Sequence, residues 1–575
     1  MVNILRNSIF ILTPVALLFI IGFSGKDSHI ELNLNNSNAF TKNPVAKEIS
    51  QTKATTQLKD INLFTSNTNE GSDMSGFADN VTNLLLDARA LNTLYSEKPY
   101  SMTFNIPAGD GNVQLELTKV NILDKDFRIT TNDNGVINRH NDYQPGIHYR
   151  GIIKGNEKSM ASISVFPDFV MGLVSDEYGN YNLGSIKDED GNNTGEYIYY
   201  NDADIVKKNE FNCGVDDIEQ NMRIYNPNNQ NTANSFDNSS GLNDTVRVYF
   251  ECDFAMYRDN GSNLNNVGQF VEGMYNSVVT IYRNENINVS ISEIRAYTSQ
   301  DPYASSINSE DILVSFGHNS QDNFYGNLAH LLLPRPDNMG GMAWINFLCL
   351  PYQSQQGAGR YAFSNIDNTY SNYPVHSWTV NVVAHEMGHN FGSNHTHACA
   401  WPVFGPGSMG AIDSCFTAEG FCFSNTRPKL NGTIMSYCHL NGSISLAAGF
   451  GPLPGDTIRQ RYQQAGCIQN TTNSSEVQSF RLGHNFPNPF NPVTTIRFEL
   501  PENALIDLVV YDMAGREITT LVNSGYFNKG TFSFYFDAGR FSLASGVYFY
   551  RLTAYNPANK NENIYSQVRK MILIK

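Results

Sequence analysis

The segment His385-Glu-Met-Gly-His389-Asn-Phe-Gly392-Ser-Asn-His395 constrains this chain more than any other. Residues four apart share one face of a helix, so His385 and His389 can grip one metal ion together. Glu386 sits one position along, close enough to act as a general base on a water at the metal without ligating it. Gly392 is free to adopt positive φ, which lets the chain leave the helical path and return His395 as a third nitrogen ligand. Three nitrogens leave a fourth position open, and that opening separates a catalytic from a structural zinc site. The competing reading is a helix of surface or packed histidines. Five ordered positions in one short run argue against it.

The compartment follows from the start of the chain. Arg6 precedes an apolar run from Ile9 to Phe23, and small residues follow at Ser24 and Gly25. A charged start, an apolar stretch and a small-residue site read as a secretory signal peptide over residues 1–25. An uncleaved membrane anchor is the alternative, but the run is shorter than the roughly 20 residues that span a bilayer. No membrane span is expected in the mature form. The eight cysteines fit an oxidising destination, and six of them fall between Cys349 and Cys467. A net charge of −16 with no basic patch excludes nucleic acid as a partner.

At 575 residues the chain has room for several domains. Residues 26–225 read as a polar leader, poorly ordered to about Asp73, followed by a β-rich unit with alternating runs such as Ala161-Ser-Ile-Ser-Val165. Residues 226–243 form a polar linker of the kind proteases nick. From 244 to 469 strand and helix patterns alternate. Strands are expected at Val246–Phe250, Asn288–Ile294 and Gly341–Leu350. Helices are expected at Asn266–Tyr282 and Thr379–Phe391, with a short element starting at Asp311. After a second linker at 470–479, residues 480–575 carry alternating runs such as Thr495–Leu500 and Ile506–Tyr511. Their turns at Ala514-Gly515 and Asn528-Lys-Gly530 complete an antiparallel sandwich pattern.

The extended histidine motif resembles that of the metzincin clan of zinc peptidases. Gly432-Thr-Ile-Met435-Ser-Tyr437-Cys438 is similar to the clan's Met-turn, with Met435 beneath the metal. The strand Gly341-Met-Ala-Trp-Ile-Asn-Phe-Leu-Cys349 resembles the substrate-pairing edge strand of the reprolysin/adamalysin group. That likeness implies Cys467 as the disulfide partner of Cys349. For Cys399, Cys415, Cys422 and Cys438 three pairings stay open, with a cysteine-bound metal as the alternative. Tyr437, two residues after Met435, is placed as in astacins, serralysins and pappalysins, where such a tyrosine assists the oxyanion; a packed tyrosine is the other reading.

Upstream, His148-Tyr-Arg-Gly-Ile-Ile-Lys-Gly155 and the runs that follow resemble the group's propeptide. Asn212-Cys213-Gly-Val-Asp216 is similar to a cysteine switch, in which a thiolate fills the open metal position. A Cys213–Cys252 disulfide stands as its alternative. Downstream, Asn485-Phe-Pro-Asn-Pro-Phe-Asn-Pro492, Val510–Glu517, Ser545–Tyr550 and Lys570–Lys575 resemble the sorting domain read by type IX secretion. A carbohydrate- or protein-binding accessory module is the alternative there.

The resemblances imply a multidomain chain. An α/β metzincin-type catalytic domain, with a twisted mixed sheet and an active-site helix, is preceded by a β-rich prodomain and followed by a small β-sandwich. They further imply a zinc endopeptidase, made latent and exported by the Sec and type IX routes to the surface or medium, whose partners are protein or peptide substrates and the secretion machinery. A non-catalytic adhesin on the same scaffold, and a zinc enzyme acting on something other than peptides, are the rivals. Asp- and Asn-rich loops leave Ca2+ possible, although none has EF-hand spacing.

Overall fold

A computed structural model describes residues 43–574, apart from 68–73, 75, 110, 189–192, 207–243, 307, 336–338, 367–372, 404–408, 421, 423–430, 441, 469–478, 486–487, 528–529, 540, 542 and 558. The signal segment 1–25, the linker 226–243, Cys213 and all but one residue of the linker 470–479 lie outside the described residues. No helix among the described residues is long and apolar enough to cross a membrane.

The first folded element is helix α1 (Pro44–Thr55), followed by strands β1 (Lys59–Asn62) and β2 (Phe64–Ser66). This corrects the expectation of a poorly ordered leader over residues 43–67; the rest of that stretch, 26–42 and 68–73, lies outside the described residues. Asn43 caps the helix through its side chain and Pro44 sits in its first turn, a start signal that overrides the polar composition. Val45, Ala46 and Ile49 bury the inner face.

Next come β3 (Thr82–Leu86), α2 (Ala88–Glu97), β4 (Ser101–Ala108), β5 (Gly111–Val120), β6 (Leu123–Asp133), β7 (Val136–His140), β8 (Ile147–Ile153), β9 (Met160–Val165), β10 (Val170–Ser175), β11 (Asn180–Lys187) and β12 (Asn193–Asn201). Ten of the first twelve strands make one sheet, in the order β1-β4-β5-β8-β9-β10-β11-β12-β3-β2. Its alternation is two-sided: Ala161, Ile163 and Val165 face a core shared with Phe104, Leu117 and Tyr197. Ser162 and Ser164 face the other way and are equally buried.

The second sheet uses β13 (Thr245–Cys252), β14 (Asn288–Tyr297), β15 (Leu328–Leu333), β16 (Gly341–Ala343) and β17 (Tyr361–Asn365), ordered β16-β17-β15-β13-β14-β6-β7. It is mixed, with β16 and β7 the antiparallel edges and the rest parallel. Helices α3 (Phe254–Asp259), α4 (Leu264–Asn284), α5 (Ser309–Ser320) and α6 (Ser377–Asn390) accompany it. One short pair, β18 (Asn431–Gly432) with β19 (Ser443–Ile444), and then α7 (Pro452–Gln463), close this region.

The expected strand from Gly341 to Leu350 is strand only to Ala343. Beyond it, Asn346 and Leu348 donate their amides to the carbonyls of His389 and Asn390, the unsatisfied end of α6. Asn346 and Cys349 turn with φ of 64° and 68°. A helix end therefore outcompetes the ladder for these amides.

The C-terminal part holds β20 (Arg481–Leu482), β21 (Val493–Leu500), β22 (Ala504–Tyr511), β23 (Glu517–Phe527), β24 (Gly530–Asp537), β25 (Gly546–Asn556) and β26 (Asn559–Leu573). They form a three-stranded sheet, β20-β21-β24, and a four-stranded one, β23-β22-β25-β26. Ile496 and Phe498 of the first share a core with Leu508, Tyr550 and Met571 of the second.

Candidate metal centre

Every residue of helix α6 from Thr379 to Asn390 is buried, the polar Asn381, His385, Glu386, His389 and Asn390 included. Such a helix belongs inside a fold rather than on its surface. Its entry is held from outside the helix, because its own N-cap residue, His376, makes no side-chain cap. Instead Asn182 of β11 accepts from the amides of His376 and Ser377 at 3.2 and 2.8 Å and donates to Ser377 Oγ at 3.1 Å. Nearby, His376 Nε2 donates to the Gly172 carbonyl at 2.6 Å, and the Tyr200 hydroxyl donates to the Pro374 carbonyl at 2.6 Å. Burial holds the His376 imidazole down to a pKa of about 4, so it is neutral.

The helix delivers His385 and His389, and Gly392 then turns with φ of 91°, as its place in the motif predicts. His395 returns on the far side of that turn. The three Nε2 atoms lie 3.1, 3.2 and 3.2 Å apart. Each ring is fixed through Nδ1, with His385 donating to the Ile434 carbonyl (2.7 Å), His389 to the Ser393 carbonyl (2.8 Å) and His395 to Glu419 Oε1 (2.6 Å). Carbonyl and carboxylate oxygens accept only, so Nδ1 carries the hydrogen and each Nε2 presents a lone pair.

Three lone pairs converging in a buried space repel one another, so the short Nε2 separations are not hydrogen bonds. They fit a shared cation. Nitrogens bound tetrahedrally at ~2.05 Å stand about 3.3 Å apart. Burial, reinforced by the neighbouring imidazoles, holds the His385 pKa well below its usual value and that of His389 down to about 3. These two rings are thus in the neutral form that ligates a metal.

Glu386 is fully buried. Gly341, at the start of edge strand β16, faces it so closely that a Cβ there would stand 2.5 Å from Glu386 Cγ and Oε1. Met435 lies under the helix at Gly388, where an added Cβ would come within 2.7 Å of Met435 Sδ. The Met435 carbonyl in turn accepts from the Thr396 amide at 2.9 Å, tying this turn to the His395 loop. Tyr437 is buried, its ring centroid 4.8 Å from that of His395 and 4.6 Å from that of His397.

Three disulfides frame the loops: Cys349–Cys467, Cys399–Cys422 and Cys415–Cys438. The bonds use all four cysteines whose pairing the spacing left open, so none of them is a thiolate metal ligand. Cys252 is a free thiol, fully buried, with its pKa pushed well up by burial and by Asp253 and Glu251.

Two residues of this centre escaped the motif. Glu419 sits between Cys415 and Cys422 in a loop with no recognisable pattern. Its backbone is pinned to His397 and Cys399, and its Oε1 lies 2.6 Å from both His395 Nδ1 and His397 Nε2. Asn182 lies nearly two hundred residues from the helix it caps. No local pattern marks either one.

Residues 242–444 match the family model of metallo-peptidase family M12, and residues 484–571 match that of the secretion system C-terminal sorting domain. Among solved structures, a chaperone–substrate complex aligns over 40% of this chain and 36% of its own, at 14% identity and a TM-score of 0.26. This chain thus spans little more than a third of that relative's length. Wild-type OgpA from Akkermansia muciniphila aligns over 59% of this chain and 95% of its own, at 11% identity and a TM-score of 0.17.

Proposed function

We propose that a chain combining an M12 metallo-peptidase region with a type IX secretion sorting domain works, once exported, as a zinc endopeptidase on protein substrates. The observation that carries the reading is the convergence of the Nε2 atoms of His385, His389 and His395 beside Glu386. The sorting domain makes the protein a secreted or cell-surface one. A nitrogen-only set of three imidazoles suits zinc, which when bound would supply the Lewis acidity that brings a water's pKa near 7 and polarises a carbonyl.

The chain's own residues do the rest. Glu386 takes a proton from the attacking water as the new C–O bond forms and the carbonyl becomes an oxyanion, then hands that proton to the amine nitrogen as the C–N bond breaks and the carbonyl re-forms. The Ile434 and Ser393 carbonyls and the Glu419 carboxylate hold the three imidazoles in one tautomer and orientation. Strand β16 lies at the end of its sheet, an edge on which an extended peptide can add as a further strand. Tyr437, packed on His395 and His397, would support the oxyanion from that side in this reading.

Latency through Cys213 belongs to the same reading. The free, buried Cys252 supports it, because the competing disulfide would need that thiol. Glu386→Gln keeps the three imidazoles and removes the base. It should retain one zinc per chain, measured by plasma mass spectrometry, while kcat/KM on a denatured protein falls by about 10²–10⁴-fold or more. Chelation should abolish cleavage and added zinc restore it. Undiminished cleavage by Glu386→Gln would remove the mechanism.

A further inference from the structure

We propose that the N-terminal domain, residues 44–206, is a permanent part of this fold, which stays bound when the chain is cut in the connecting segment 226–243. The inference rests on packing alone and is independent of the peptidase reading.

The first reason is strand exchange between the sheets. The neighbouring strands β5 and β8 pair with each other in the N-terminal sheet, yet β6 and β7 between them leave it. β6 instead adds in parallel to β14, with Arg128 opposite Glu293 and Asn132 opposite Tyr297. The second sheet is therefore built from both parts of the chain. Glu293, buried in that sheet, is held by Arg295 beside it and by Arg128 and Thr130 from β6. Departure of the domain would strip β14 to a bare edge and unpair part of that buried cluster.

The second reason is helix α4, buried continuously from Val267 to Tyr282 because both sheets cover it. Its polar side is matched group by group to the N-terminal domain. Glu272 accepts from the Tyr143 hydroxyl (2.7 Å) and the Gly146 amide (2.8 Å), and His148 Nε2 stands 2.9 Å away. Asn276 donates to the Tyr149 carbonyl and Ser164 Oγ, while Ser277 pairs with Ser162 at 2.6 Å. Apolar contact runs through the same face: Met160, Phe166, Met171 and Leu173 belong to one core with Val267, Phe270 and Met274. At Gly273 a Cβ would stand 2.4 Å from Met171 Sδ. Surfaces fitted this closely resemble the inside of a domain more than a detachable contact.

The third reason is that the helix bearing His385 and His389 is capped from β11, through Asn182, with Gly172 and Tyr200 holding the residues just before it. A departing domain would take that cap with it.

The test uses the full chain with a specific protease site placed within 226–243, cut to completion as judged on a denaturing gel. Size-exclusion chromatography with light scattering in native buffer should give one species with the mass of the uncut chain, separating into two fragments only in denaturant. Amide exchange at His376–Thr379 should stay within about threefold of the uncut protein, since its cap is unchanged. Two native species of fragment mass, or an exchange rate at those amides raised more than tenfold after cutting, would overturn the proposal. Neither measurement reads activity, so a failure here is distinct from failure of the peptidase reading.

Discussion

Replacing Gly341 by alanine places a methyl group where the Glu386 side chain now lies. The added carbon would stand 2.5 Å from Cγ and Oε1 and 2.7 Å from Cδ. Ordinary contact between such atoms is ~3.5 Å, so the carboxylate must withdraw by about 1 Å. Gly341 is not in the positive-φ region, so alanine itself brings no backbone strain. The atoms that must move are the end of a side chain, and an off-rotamer Glu386 costs about 1 kcal/mol in stability, or a shift of ~2–4 °C in Tm. Catalysis is far less tolerant, because a 1 Å misplacement of a reacting group can cost about 10²-fold, or ~2.7 kcal/mol in the barrier. Steady-state kinetics on a quenched fluorescent peptide should therefore show the loss in kcat, with KM within about threefold. Metal content should stay at the wild-type level, since no imidazole moves. A kcat within about twofold of wild type would refute the placement of Glu386 as the base, and loss of metal would refute the argument that only the carboxylate is displaced.

The trans cap and the buried acid give two further tests. Asn182→Ala leaves the His376 and Ser377 amides without their acceptor and should destabilise the protein by about 1–2 kcal/mol in urea unfolding. Asn182→Asp restores an acceptor and should recover most of that loss; equal loss in both variants would count against capping. For Glu293, burial raises the carboxyl pKa, but Arg295 and Arg128 outweigh it and hold the group at about 2, below its usual 4.5. A folded pKa below the unfolded one stabilises above pH ~4.5 and fades as pH falls towards 2. Unfolding of Glu293→Gln should therefore lie on the order of 3 kcal/mol below wild type at pH 7, the gap shrinking at pH 3. A gap independent of pH would sink the assignment.

The centre itself was legible because its chemistry is local. Four-residue spacing on a helix, a glycine that can turn and a third histidine just beyond it lie within eleven residues, and Gly392 has the positive φ that this spacing requires. The Met435 segment was legible for the same reason. The strands at Thr245–Cys252 and Asn288–Tyr297 and the helix at Leu264–Asn284 showed through their periodicity, because one face of each meets an apolar core.

Other elements misled for equally physical reasons. The leader's polar composition concealed a capped helix with only three buried residues. The apolar run after Ala343 looked like strand until the carbonyls at the end of α6 took its amides. In Ala161-Ser-Ile-Ser-Val165 the alternation was read correctly as a strand, but nothing in it told that the serine face packs against α4.

By itself, then, the amino-acid sequence determined which side chains can form the metal centre, since they lie on one helix and one turn. Only the tertiary structure decided what holds that centre in place. Asn182, Gly341 and Glu419 reach it from distant segments, and β6 crosses from one sheet to the other to complete the second. Those partnerships join residues from 24 to 195 apart in the chain. Periodicity, caps and turns report only neighbours, so contacts closed by the folded topology leave no mark in them.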